Sequence, residues 1–201
     1  DIDFSTRLRK RWLQTFFYMS SKVRSSSALI LCGPDVISHY NDYKMIRGVE
    51  GYSKYTKLYI AELDTKTYNQ NIIDLDNIPN LNYSIVNADI ITCKIKRFVD
   101  LDFCKNLSST ISIVDKIYKK MTQMNTKFNK HILVTFSVNR LKDKTIEDDI
   151  NILCTLFGIT NNFSKLKELP HSHIMKHKTV DCMYSTYRDG TPMCTFSYQF
   201  K

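Results

Sequence analysis

Five short apolar runs follow one another through the first 140 residues, and four of them end on a polar or charged residue. They are Ala28-Leu29-Ile30-Leu31-Cys32, Lys57-Leu58-Tyr59-Ile60-Ala61-Glu62, Tyr83-Ser84-Ile85-Val86-Asn87-Ala88-Asp89, Phe98-Val99-Asp100-Leu101-Asp102 and Ile132-Leu133-Val134-Thr135-Phe136. Most are too short for buried helices and are rich in β-branched or aromatic residues, the pattern of strands covered on both faces. In an open α/β sheet, ligands bind outside the carboxyl ends of the strands. Gly33, Glu62, Asp89 and Asp102 all fall at such ends, so the pattern predicts a cofactor cleft there.

The segments between the runs supply helices. Residues 5–24 carry Leu8, Trp12, Phe16 and Met19 at helical steps, with Arg7, Arg9, Lys10 and Arg11 largely around that stripe. Cys32-Gly33-Pro34-Asp35 is a turn, followed by a short helix near 36–40. Residues 41–56 are polar and tyrosine-rich and read as a long loop beside the cleft, a length usually tied to function. A helix is expected to start near Asp64 or Thr65, with Thr65 as N-cap. Residues 108–125 form the next, with Ser108 or Ser109 as cap and Ile111, Val114, Ile117, Tyr118 and Met121 as its stripe. A last helix spans 145–157: Thr145 and Asp148 form a capping pattern and Gly158 stops it. The extended runs 179–187 and 191–200 flank Arg188-Asp189-Gly190, a hairpin signal. The chain is read as one domain of 201 residues, an α/β fold with a mostly parallel sheet and a terminal antiparallel pair.

Charge indicates the kind of partner. The net charge is +9, and the chain holds 12 tyrosines and 11 phenylalanines. An excess of cations favours an anionic partner, and aromatic rings can stack on bases. Lysine-rich composition also serves solubility alone. The richest mixture is in the long loop, where Lys44, Arg47, Tyr52, Lys54 and Tyr55 are candidate nucleic-acid contacts; the loop could equally be folded over the sheet by its own rings. No apolar run nears the roughly 20 residues of a membrane span, and the acidic start Asp1-Ile2-Asp3 reads as no signal peptide. Six cysteines without a C-x-x-C pair read as reduced thiols of an intracellular, cytoplasmic protein. His171, His173 and His177 form an H-x-H-x3-H group, but no Cys or carboxylate stands at ligand spacing, so no metal is assigned.

Alternating strands and helices closed by a hairpin resemble the class I S-adenosylmethionine-dependent methyltransferase fold, a Rossmann-like seven-stranded sheet whose last strand inserts antiparallel. Asp100-Leu101-Asp102-Phe103-Cys104, Val134–Arg140 and Thr191-Pro192-Met193 are similar to segments of phage and giant-virus methyltransferase-like proteins. The resemblance implies S-adenosylmethionine as cofactor and methyl transfer to a nucleic acid. It implies that Gly33 passes close to the methionine moiety, where a Cβ would block the backbone's approach. Glu62 would accept from the ribose hydroxyls and Asp89 from the adenine amino group, with Ile90 against the ring. Asp102, Phe103 and Cys104 would follow the fourth strand and face the reacting centre. The family's first motif usually holds two or three glycines after an acid, whereas this chain has one glycine after Leu31-Cys32. Glu62 also lies farther beyond Gly33 than the roughly 20 residues usual for such an acid, which leaves Glu50 as a competing choice. These departures fit the alternative, a non-catalytic relative serving as a nucleic-acid-binding or protein-interaction subunit.

The acids have plainer readings as well. Glu62 could cap the following helix, and Asp89 could be a turn residue. Asp100 and Asp102 are read as facing opposite sides of their strand, so that one is buried and bonded; Asp102 is the candidate catalytic residue. No Asp/Asn-Pro-Pro-Tyr motif, Pro-Cys nucleophile, Lys-Asp-Lys-Glu tetrad or phosphate-binding Gly-Lys loop is present.

Overall fold

A computed structural model describes residues 27–34, 36–37, 57–79, 81–138, 145–159, 182–189 and 191–201. The expected helix at 5–24, the loop at 41–56 with Glu50, and the histidines at 171–177 lie outside the described residues.

Seven strands form one sheet: β1 (Ala28–Leu31), β2 (Leu58–Ala61), β3 (Tyr83–Val86), β4 (Phe98–Asn106), β5 (Lys130–Ser137), β6 (Cys182–Asp189) and β7 (Thr191–Phe200). Their order is β3-β2-β1-β4-β5-β7-β6. β1 through β5 pair in parallel, and β7 lies antiparallel between β5 and β6. This is the Rossmann-like architecture with a terminal antiparallel pair that the sequence predicts. The strand order reverses between β1 and β4, which in an open α/β sheet is the topological switch point where ligands bind.

Both faces are covered, which explains why the strands read as unbroken apolar runs. On one face, α1 (Thr65–Asp76) places Leu75 against Ala28, Ile30, Leu58, Ile60 and Phe98. On the other, α2 (Ile111–Thr122) and α3 (Ile146–Phe157) bury Val114, Ile117, Met121, Ile150, Leu153 and Phe157 against Val99, Leu101, Ile132, Val134 and Phe136. The helix ends follow local chemistry. Thr145 and Asp148 make the capping box of α3, and Gly158 closes it in the left-handed region at φ 67°. The cap of α1 is Asp64, not Thr65: its carboxylate accepts from the Thr67 N–H at 2.7 Å, which holds its pKa below the ordinary carboxylate value. α2 starts at Ile111. Before it a 3-10 turn, Leu107–Ser109, is capped by Asn106 rather than by a serine.

Two departures shape the site. β4 does not stop at Asp102 but runs on to Asn106, so Asp102, Phe103 and Cys104 lie within the strand. Its register slips there: Asp102 opposes Thr135, yet Asn106 opposes Ser137, so a bulge follows Asp102. The opposite-face reading of Asp100 and Asp102 is also overturned, because residues two apart share a face of a pleated strand. Both belong to the face of Phe98, with Asp100 buried and Asp102 half-buried.

The connection from β3 to β4 contains no α-helix. Asn87–Arg97 descends the α2 face, with one 3-10 turn at Ile90–Thr92. Ile90 is buried, and Ile91, Cys93 and Ile95 pack against the core. Beside this segment is a cavity of about 540 Å³ lined by Leu29, Tyr59, Ser84, Val86, Thr92 and Lys96, among others. It lies on the face of the β1–β3 half-sheet, away from the ends of β1 and β4.

Candidate functional site at the carboxyl edge of the sheet

At the switch point, β1 leads into Cys32 and Gly33. Gly33 has φ +56°, the left-handed region that L side chains rarely adopt. A Cβ added there would meet no atom within 4 Å. The dihedral alone therefore calls for glycine here, and the protein's own atoms leave the space beside it open. Its carbonyl accepts from Asn71 Nδ2 at 3.0 Å. Asn71 projects from the middle of α1, is fully buried, and makes no hydrogen bond through its own Oδ1 among the described residues.

At the end of β2, Glu62 is 7% exposed. Its Oε1 accepts from the Asp64 N–H at 2.9 Å, and its backbone N–H donates to the Val86 carbonyl at 3.0 Å. Among the described residues the bond from Asp64 is the one hydrogen bond to the carboxylate, so it retains acceptor capacity. Asn87, just beyond β3, ties the neighbouring strand ends together. Its Nδ2 donates to the carbonyls of Glu62 at 2.9 Å and Leu63 at 3.1 Å, while its Oδ1 accepts from the Thr65 hydroxyl. Asp89 Oδ1 accepts from the Ile91 N–H at 3.0 Å and caps the 3-10 turn. The turn reading of Asp89 is thus realised, and so in part is the capping reading of Glu62, which braces the residue that caps α1.

The sheet topology brings Gly33, Glu62 and Asp89 to one edge. Asp102 stands on β4 next to the switch point, ahead of the bulge. Ile90 and Phe103 point into the core: Ile90 is 3% exposed, and Phe103 packs with Val99, Leu101 and Leu107 on the α2 side. Sequence reasoning missed Asn71 and Asn87. Asn71 had a readable signal, an amide poorly suited to mid-helix at one turn's spacing from the buried Leu75.

An open turn at a left-handed glycine and a buried acid on the adjacent strand are the features an adenosine-bearing cofactor needs: backbone it can approach and a diol acceptor. The residues present fit such a group. The cysteines at 32, 93, 154, 182 and 194 form no disulfide, and no described helix is long and apolar enough to cross a membrane.

No family model matches the chain, and no curated protein matches its sequence. Solved structures match its fold. The plantazolicin methyltransferase BamL, crystallised with SAH, superposes with TM-score 0.56 at 10% identity, over 98% of this chain and 87% of its own. A protein assigned as an rRNA-methylase from Clostridium thermocellum gives TM-score 0.50 at 9% identity, over 94% of each chain. PH0851 gives TM-score 0.55 at 10% identity over 96% of this chain, which spans about half of PH0851, 46%. The fold is that of S-adenosylmethionine-dependent methyltransferases.

Proposed function

We propose that the chain binds S-adenosylmethionine at the carboxyl edge of its sheet and transfers the methyl group to a nucleic acid. The observation that carries this reading is the convergence of a left-handed Gly33 and a buried Glu62 on either side of the β1–β2 junction, next to the switch point. Gly33 offers backbone to the methionine moiety. Glu62 accepts from the ribose hydroxyls through the oxygen its bond to Asp64 leaves available. Asp89 faces the adenine, with Ile90 and Phe103 holding that wall from the core side. The cofactor, when bound, supplies an activated methyl group. The protein aligns donor and acceptor and takes up a proton where the acceptor carries one. Asp102, half-buried ahead of the bulge, is the carboxylate placed for that proton.

The nucleic-acid substrate is supported by the net charge of +9 and by the rRNA-methylase among the structural neighbours. The similarity to phage and giant-virus proteins belongs to the same reading, as does a single-domain organisation. A second reading, cofactor-fold binding without transfer, is favoured by one observation: the position before Gly33 is Cys32, buried at 4% exposure, where an acid is usual.

Thermal unfolding with and without S-adenosylhomocysteine tests the reading. Ligand at 100 times Kd should stabilise the fold by about 2.7 kcal/mol, and an unmoved midpoint would remove the cofactor. Transfer of radiolabelled methyl to RNA or DNA then separates the two readings.

A further inference from the structure

The amino ends of the parallel strands form a surface of different character. All five cation–ring contacts among the described residues are found there. The Lys57 and Lys96 ammonium groups lie 5.0 and 3.8 Å from the Tyr59 ring centre. The Arg97 guanidinium and the Lys127 ammonium lie 4.8 and 5.5 Å from that of Phe128. Lys130 is 5.4 Å from that of Phe200. These residues stand just before or at the start of β2, β4 and β5 or at the end of the antiparallel β7, so the topology gathers them along one edge. Asp76, the acid at the end of α1 on this edge, is engaged by the Tyr83 hydroxyl.

Phe128 is the exposed member, with 51% of its surface accessible. A single exposed ring is ordinary; a ring flanked by a guanidinium and an ammonium is the pairing with which single-stranded nucleic acid is held, base on ring and phosphate on cation. A duplex keeps its bases stacked internally, and an acidic peptide has no obligatory ring to offer.

We infer that the amino edge is a second contact surface for single-stranded nucleic acid, with Phe128 as a stacking platform and Arg97, Lys127 and Lys96 facing the phosphates. It rests on the nucleic-acid part of the proposed function but not on methyl transfer. β5 is eight residues long, which at about 3.3 Å per residue puts this surface roughly 25 Å from the carboxyl edge. A strand touching both edges would have to wrap the sheet.

The test measures binding of fluorescein-labelled 20-nucleotide dT and rU strands to the full chain, across a salt series, with the S-adenosylhomocysteine melting shift recorded on every variant. Phe128→Ala should weaken binding about fivefold to 100-fold, and Phe128→Leu, which keeps apolar bulk without a ring, should weaken it too. Lys127→Ala should lower the slope of log K against log salt by about 0.7. The melting shift should be the same in all three. Equal affinity of wild type and Phe128→Ala overturns the inference while leaving a nucleic-acid substrate at the other edge. Absence of binding by wild type overturns both. Phe128-dependent binding of polyglutamate equal to that of the oligonucleotides overturns it in favour of an acidic partner. A missing melting shift with Phe128-dependent binding sustains it and removes the cofactor reading instead.

Discussion

The two edges of the sheet use charge in opposite ways. At the carboxyl edge three acids bind the chain's own backbone: Glu62 holds the Asp64 N–H, Asp64 holds Thr67, and Asp89 holds Ile91. At the amino edge Lys96, Arg97 and Lys130 lie over rings. An acid bonded to N–H groups fixes a loop in one conformation, because each bond pins a dihedral and satisfies a donor at a helix start. A cation over a ring fixes little, and where it is exposed, as Lys127 is, it keeps its donors for a partner. The first arrangement builds a preorganised site for a small ligand, and the second a tolerant surface for a polymer.

The largest expected effect separates the edges by pH. His131, second residue of β5, is 3% exposed. Burial, and then the charge of Arg97, push its pKa from 6.5 down to about 3. Between those values the unfolded chain takes up a proton that the folded one refuses. This contribution is therefore intact above about pH 6.5 and is lost progressively as pH falls toward 3, by up to about 1.4 kcal/mol per pH unit. Urea titrations from pH 7 to 4 should show a flatter decline for His131→Gln than for wild type; parallel declines would show that the imidazole charges in place.

Next is Glu62. Hydrogen bonds to charged groups contribute about 1.5–3 kcal/mol, so Glu62→Ala should weaken S-adenosylhomocysteine binding about 10- to 100-fold by calorimetry. Its affinity for dT strands at the amino edge should not change. Loss at both edges would mean that Glu62 serves the fold, and loss at neither would pass the ribose role to Glu50.

The same contrast explains what could be read from sequence. The strands were legible because both faces are buried, leaving unbroken runs such as Ile132–Phe136, and the hairpin because Asp189-Gly190 separates two extended segments. Gly33, Glu62 and Asp89 were legible as a group because topology alone carries strand ends to one edge. The bulge after Asp102 was not: Phe103-Cys104-Lys105 continues the strand's alternation, and a register slip depends on the partner strand. The cation–ring edge was hidden because Lys130 and Phe200 meet only through strand pairing, and Lys96 and Tyr59 only through the order of strands in the sheet. Asn87 was read as the tail of a strand, although its amide is what joins two strand ends.

Asn71 supports the carboxyl edge through the Gly33 carbonyl, and its removal should have an intermediate effect. Asn71→Ala deprives the Gly33 carbonyl of a buried donor, costing about 1–3 kcal/mol. Gly33→Ala should cost about 1–2 kcal/mol, from left-handed backbone strain with no steric clash. Denaturant midpoints measure both. If Gly33→Ala is the more costly by several kcal/mol, the turn is tighter than its open surroundings indicate.

The smallest effect falls on the amino edge, at Tyr83. Its hydroxyl donates to Asp76, and that bond, ahead of burial and the carboxylate's charge, raises the phenol pKa from 10 to about 12. A raised pKa makes the bond's contribution complete below about pH 10 and lost as pH rises through 12. The pair is largely solvent-exposed, so the effect on stability is small. Its value lies in what it does to the cationic edge. Tyr83→Phe leaves the Asp76 carboxylate without this donor, a like charge to any approaching phosphate. Binding of dT strands should fall by less than threefold, more at low salt than at high, since exposed charges are screened beyond about 10 Å at 0.1 M. A salt-independent loss would mean that the hydroxyl touches the strand directly, and the nucleic-acid surface would then extend past β2 to the outer edge of the sheet.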